Sequence, residues 1–201
     1  MRRATSGRPR TYEGAMTLEQ IAVVDVESTS GDPERGRLME LAVVLPVGGG
    51  RAMTWNTLIR PQAPIPPLIQ RLTGLRPEDL AQAPSFHEVA GPFMDLTAGR
   101  LLVAHNVRYD LTLLGHEFAR TGLVFQRATL CTERLSRTLF PELQHHNLGS
   151  MCRYFGIPFK AAHRATVDAE ATYLLLHRLV RTFGRERVEQ AIVPPPSAKV
   201  A

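Results

Sequence analysis

The chain has 201 residues, 44% of them apolar, and a net charge of +5. That suits one domain with a real core, and no apolar run approaches the roughly 18 residues of a membrane-spanning helix. The arginine-rich start lacks the apolar stretch of a secretory signal and shows no amphipathic face of a transit peptide, and the two cysteines, Cys131 and Cys152, match neither a zinc spacing nor a disulfide framework.

Arg2, Arg3, Arg8 and Arg10 against Glu13 place +3 on the first fifteen residues and leave +2 for the rest. A polyanionic partner is compatible with this balance but not established by it. Residues 1–17 read as a flexible basic tail, with Met16 as an alternative start, residues 18–184 as the folded domain and residues 185–201 as a C-terminal tail. The expected compartment is the cytoplasm.

Ile21–Val26 is a short apolar, β-rich run that enters a polar turn, and Leu38–Val44 resumes it, so the two read as a hairpin. Pro46 and Gly48–Gly50 close the second run, and Thr54–Ile59 reads as a third strand containing a core-directed Trp55. The proline-rich segment 61–67 is an extended connection. Ser85 with Glu88 three residues later forms a capping box for a helix towards Leu96. Leu101–Ala104 reads as a buried strand, followed by a helix that Asn106 caps with its side chain and that runs to about Arg120, before Gly122. Further helices are expected over Thr129–Leu139 and Asn147–Phe155. A last helix starts near Ala165, with Val167, Ala171, Leu174, Leu175 and Leu179 at helical spacing. Strands first, then strands and helices in alternation, imply a layered α/β domain.

Acids stand at three of these junctions. Asp25 and Glu27 lie two apart at the end of the first strand, so both carboxylates share one face. Asp110 falls in the first turn of the helix after Asn106, where a helix dipole favours negative charge. Asp168 opens the last helix, on the face of Ala171, Thr172 and Leu175, and His163 stands five residues before it. Each signal has a plain structural explanation: a strand reaching solvent, a solvated helix start, a surface histidine. Together they suit phosphodiester hydrolysis, in which carboxylate-held divalent ions activate water and neutralise the phosphate. Hard oxygen ligands select Mg²⁺ or Mn²⁺, and a histidine side chain can accept the proton of the attacking water.

With these residues in view, the sequence resembles the DEDDh, or DnaQ-like, 3′–5′ exonucleases of the RNase H-like fold, and within them bacterial proofreading domains. The resemblance rests on VVDVESTSG, LVAHNVRYDLTLL and HRATVDAEATYLL and covers roughly Ile21 to Leu179. It implies an α/β domain with a mixed five-stranded sheet flanked by helices. It implies two metal ions: Asp25, Glu27 and Asp168 hold the first, Asp25 also serves the second, and Asp110 binds the second through water. His163 is implied as general base, and Thr29, Thr73, His105 and Asn106 as substrate contacts. The implied substrate is nucleic acid with a free 3′ end, DNA rather than RNA, and a DNA polymerase is the candidate protein partner. RNA trimming of the oligoribonuclease type is the alternative, and a catalytically silent scaffold a third reading. Ser28 stands where Thr is usual, Tyr109 where Phe is usual, Thr73 where some proofreading subunits have His, and Cys131 near a frequent Asp.

Overall fold

Residues 18, 20–49, 51–160 and 162–195 are described in the computed structural model, and the basic segment 1–17 lies outside them. β1 (Ile21–Ser28), β2 (Leu38–Gly48) and β3 (Arg51–Leu58) form an antiparallel meander, as the apolar runs foretell. Gly48 and Gly49, at φ 84° and 59°, make the turn into β3, a conformation that side chains with a Cβ rarely adopt. On the other side of β1, β4 (Leu101–Ala104) and then β5 (Thr129–Cys131) pair in parallel. The five-stranded mixed sheet has the order β3-β2-β1-β4-β5.

Around β1 the sheet is buried on both faces, while edge strand β3 is partly exposed, and alternation along β1 divides its side chains between two cores. Ala22, Val24 and Val26 pack with α3 (Phe86–Leu96) and α4 (Val107–Arg120). That core closes on Phe118, which meets Phe86 edge-on at 4.9 Å and stacks on Phe125 at 4.7 Å. Ile21 and Val23 pack on the opposite face with α5 (Thr132–Leu139), α6 (Leu148–Phe155), α7 (Ala165–Phe183) and α8 (Arg185–Glu189). A third, smaller cluster seats α1 (Pro67–Thr73) and α2 (Pro77–Leu80) beside β2 through Met39, Ile65, Leu75 and Leu80. The extended segment ends at Pro66, and Pro67 begins α1, a first helical position that has no intrahelical use for an N–H.

Four local expectations need correction. The helix expected over Thr129–Leu139 is instead strand β5 followed at once by α5, because Leu102–Ala104 supplies a parallel partner to Thr129–Cys131. Asn106 does not cap α4 with its side chain; it adopts φ 68°, ψ 50° and makes the left-handed corner between β4 and α4, a conformation that Asn tolerates better than most residues. Leu174 lies on the exposed side of α7, whose buried stripe is Ala165, Ala169, Thr172, Leu175, Leu176 and Leu179. Residues 185–195 do not leave the domain as a tail: α8 buries Val188, and Val193 exchanges two backbone hydrogen bonds of 2.8 Å with Thr129, while residues 196–201 lie outside the described residues. Trp55 is partly buried against the α3–α4 core, and Cys131 and Cys152 are buried free thiols. Among the described residues, no helix is long and apolar enough to cross a membrane.

Candidate active site

The pairing of β1 with β4 runs from Ile21–Leu101 to Val23–Val103, so Asp25 and Glu27 stand beyond it, at the carboxyl ends of the parallel strands. In open α/β sheets this is the crevice where ligands bind. Asp25 and Glu27 share the face of β1 that α7 covers, and a bulge after Glu27 lets the strand bend into the 29–37 turn. That turn is pinned by Thr29, whose N–H donates to Arg37 O (2.9 Å) and whose Oγ1 accepts from Arg37 N–H (3.0 Å).

Asp110 enters from the first turn of α4 and is 3% exposed. Burial pushes its carboxyl up to about 8, against the opposing hydrogen bonds of its own and the Val26 backbone amides. Asp168 enters from the first turn of α7, and burial raises it to about 6. Burial, then the charges of Asp168, Glu40 and Asp110, push Glu27 up to about 8. Asp25 is raised well above the carboxylate range by burial and by Asp110, Asp168, Glu27 and Glu40. Four acids from three elements therefore share one electrostatic site.

His163 completes it from the loop before α7. Its N–H points at Asp168 Oδ2 (3.4 Å), and side-chain ligand atoms of Glu27, His163 and Asp168 lie within 4.8 Å of one another. Asp168 Oδ1 is buried with no hydrogen-bond partner among the described residues. An orphaned carboxylate oxygen is costly, and mutually repelling carboxylates cost more; a bound divalent cation relieves both. The donor set, all oxygen apart from one imidazole, fits such an ion.

Of the residues expected to contact substrate, Thr29, Thr73 and His105 make hydrogen bonds within the fold and Asn106 is exposed. The Thr73 hydroxyl is buried at the end of α1, donating to Ile69 O (2.9 Å) and accepting from Leu75 N–H (3.1 Å). His105 donates from Nε2 to His146 O (2.9 Å), so its Nδ1 accepts from the Thr132 hydroxyl (3.0 Å). Burial lowers its pKa to about 4, which keeps this bridge neutral. Thr29 holds its turn. Asn106 is exposed and lines a groove of about 260 Å³ with Arg108, Tyr109, Thr112 and the Asp32–Glu34 segment. The two departures from the family pattern meet: Tyr109 Oη lies 2.6 Å from Ser28 Oγ and donates to Ser30 O at 2.6 Å.

Sequence reasoning missed Glu40 and Arg164. Glu40 is the register partner of Glu27 and is 2% exposed. An acid inside the apolar run LMELAVV was itself a signal, since an unpaired buried carboxylate is not tolerated.

Residues 22–176 match the Exonuclease (RNase_T) family. The chain belongs to that family, and within it to the DEDDh, DnaQ-like 3′–5′ exonucleases, which depend on divalent metal. It is 32% identical over 151 residues to the DNA polymerase III subunit epsilon of Aquifex aeolicus, covering 75% of either chain. It is 33% identical over 179 residues to a PolC-type DNA polymerase III of Bacillus cereus, covering 87% of this chain and 12% of that one. A 3′-5′ exonuclease DinG of Staphylococcus haemolyticus is 31% identical over 163 residues, 81% of this chain and 18% of the relative. The chain thus spans less than a fifth of the PolC-type and DinG relatives. The fold is that of exonuclease X in complex with 5′ overhanging duplex DNA (TM-score 0.69, 22% identity, 85% of this chain and 98% of that one). Exonuclease I shares it as well (TM-score 0.74, 18% identity, 86% and 43%).

Proposed function

We propose that this 3′–5′ exonuclease acts on DNA, releasing nucleoside 5′-monophosphates from a free 3′ end in proofreading or repair. The observation that carries the reading is the convergence of Asp25, Glu27, Asp110 and Asp168 around a buried, unpartnered Asp168 oxygen, with His163 at the edge. Asp25, Glu27 and Asp168 would hold one Mg²⁺ or Mn²⁺, and Asp25 with Asp110 a second. When bound, such a pair of ions supplies neutralisation of the scissile phosphate and a water acidic enough to attack it. His163, exposed at the mouth, takes the proton of that water, and Asp168 orients it through the 163 amide. The groove beside α4 offers Arg108 and Asn106 to a phosphate or a base edge. DNA is favoured because the relatives include polymerase III subunits and one fold neighbour is a DNA complex; a polymerase subunit is the corresponding candidate partner.

The test is digestion of 5′-labelled single-stranded DNA, of duplex with a 3′ mispair, and of RNA of the same sequence, with Mg²⁺, with Mn²⁺ and with chelator. Stepwise shortening of DNA that stops with chelator is expected. Faster digestion of RNA than of DNA would replace this substrate reading by RNA trimming.

A further inference from the structure

Glu40 is an acid the chemistry above does not use, held in the wall of the site. Its carboxylate accepts three hydrogen bonds: from Arg164 Nε (3.0 Å) and Ala165 N–H (3.2 Å) at Oε2, and from Arg164 Nη2 (3.0 Å) at Oε1. The pairing is bidentate, the geometry in which a guanidinium is most directional. It spans 124 residues of sequence, from near the start of β2 to the residue that precedes α7.

Two features make this more than a fold-closing ion pair. α7 begins at Ala165 behind an Arg, which cannot accept from the first amides of the helix. Glu40 does so from the sheet face that α7 covers, placing a negative charge at a helix N-terminus. Next to Arg164 on the other side is His163, at φ 69°. That is a left-handed backbone, which is strained for a residue with a Cβ and persists only where its surroundings enforce it. The peptide that links His163 to α7 is thus clamped from one side by Glu40, while the histidine N–H meets Asp168 on the other.

We propose that Glu40 and Arg164 are positioning residues that hold His163 in its left-handed conformation, with the imidazole in reach of Glu27 and Asp168. The inference rests on the reading of His163 as proton acceptor. Without the clamp the loop relaxes to an ordinary φ, and the ring swings away from the acids while the carboxylates themselves stay in place. The clamp therefore serves turnover rather than binding.

The test uses the full chain in single-turnover and steady-state digestion of a labelled DNA oligonucleotide, with variants His163→Ala, Arg164→Ala, Arg164→Lys and His163→Ala/Arg164→Ala. Arg164→Ala leaves the buried Glu40 with the Ala165 amide alone, so thermal melts accompany every variant and rates are read per folded chain; Arg164→Lys, which keeps the charge, is the variant that folds most like wild type. Arg164→Ala is expected to lower kcat by about tenfold or more, as misplacement of a reacting group does. KM for the oligonucleotide stays within about threefold of wild type, and Mn²⁺ binds no more weakly, because the guanidinium beside Glu27 opposes the incoming cation. Arg164→Lys recovers little, because an ammonium cannot make the fork. In the His163→Ala background, Arg164→Ala costs less than about twofold, since residues acting through one another are not additive. A wild-type kcat in Arg164→Ala, or its full loss repeated on top of His163→Ala, overturns the clamp. A wild-type rate in His163→Ala alone overturns the proton-acceptor reading, and the positioning role with it, and so separates the two failures.

Discussion

Glu27 of β1 and Glu40 of β2 face each other across the antiparallel ladder, two acids in register on the same side of the sheet. Like charges so placed repel, and the fold deals with them in opposite ways. Glu40 receives a guanidinium and a helix amide. Glu27 is left among Asp25, Asp110 and Asp168, with Arg164 as its principal relief. The site is therefore built to be unsatisfied until a cation enters.

A pH dependence follows. Glu27 and Asp110 are pushed up to about 8 and Asp168 to about 6. Below about pH 4, ordinary carboxyls are protonated in the unfolded chain too, and these groups cost nothing. As pH rises, the unfolded chain releases its protons first, so the metal-free fold loses stability progressively until the site has ionised near and above pH 8. Melting temperature in chelator should fall between pH 5 and 9, and saturating Mg²⁺ should flatten the slope. A flat or rising profile in chelator would refute this account of the site.

Asp110→Asn separates stability from activity. The amide keeps the shape of a side chain that is 3% exposed and removes one charge from the cluster. The metal-free protein should melt higher than wild type while exonuclease activity falls by about 10² or more, the trade-off expected where a functional site is destabilising. Thermal melts in chelator, read beside single-turnover rates in Mg²⁺, check both halves.

His163→Ala should lower turnover by about 10², the usual worth of a positioned general base. Mn²⁺ affinity should change little, because the oxygen ligands remain. Comparing kcat with calorimetric Mn²⁺ binding tests this, and parallel losses in the two would recast His163 as a metal ligand.

At the end of the 29–37 turn, Glu117 is 2% exposed and is held by Arg37 Nε (2.7 Å), Arg37 Nη2 (3.2 Å) and Leu38 N–H (3.2 Å). Arg37→Ala strands most of that charge, with Arg120 at 3.7 Å as partial compensation. A loss of about 3 kcal/mol is expected, seen as a drop in urea midpoint with unchanged kcat for the folded fraction.

Much of the layout was legible because it is local. The two apolar runs around the 29–37 turn, the Ser85–Glu88 box and the Asn147–Gly156 helix follow from neighbours in sequence, and the structure keeps them: Ser85 N–H and Oγ both donate to Glu88, and Asn147 Oδ1 accepts from Ser150 N–H. What was hidden depends on distant partners. Three residues of β5 carry too short a pattern to tell strand from helix, and only Leu102–Ala104 decides the matter. Asn106 carries a residue type shared by side-chain caps and left-handed corners, and the tight exit from β4 selects the second. Glu40 announced itself as an acid in an apolar strand, but nothing in the sequence named Arg164 as its partner.

The most direct measurement is the number of Mn²⁺ ions bound per chain, by calorimetry or electron paramagnetic resonance, in wild type and in Asp25→Ala. Two saturable sites are expected in the wild type, both weakened beyond detection when the carboxylate shared between them is removed. One site, or two sites that survive the substitution unchanged, would contradict the reading of these acids as a common cradle for a pair of ions.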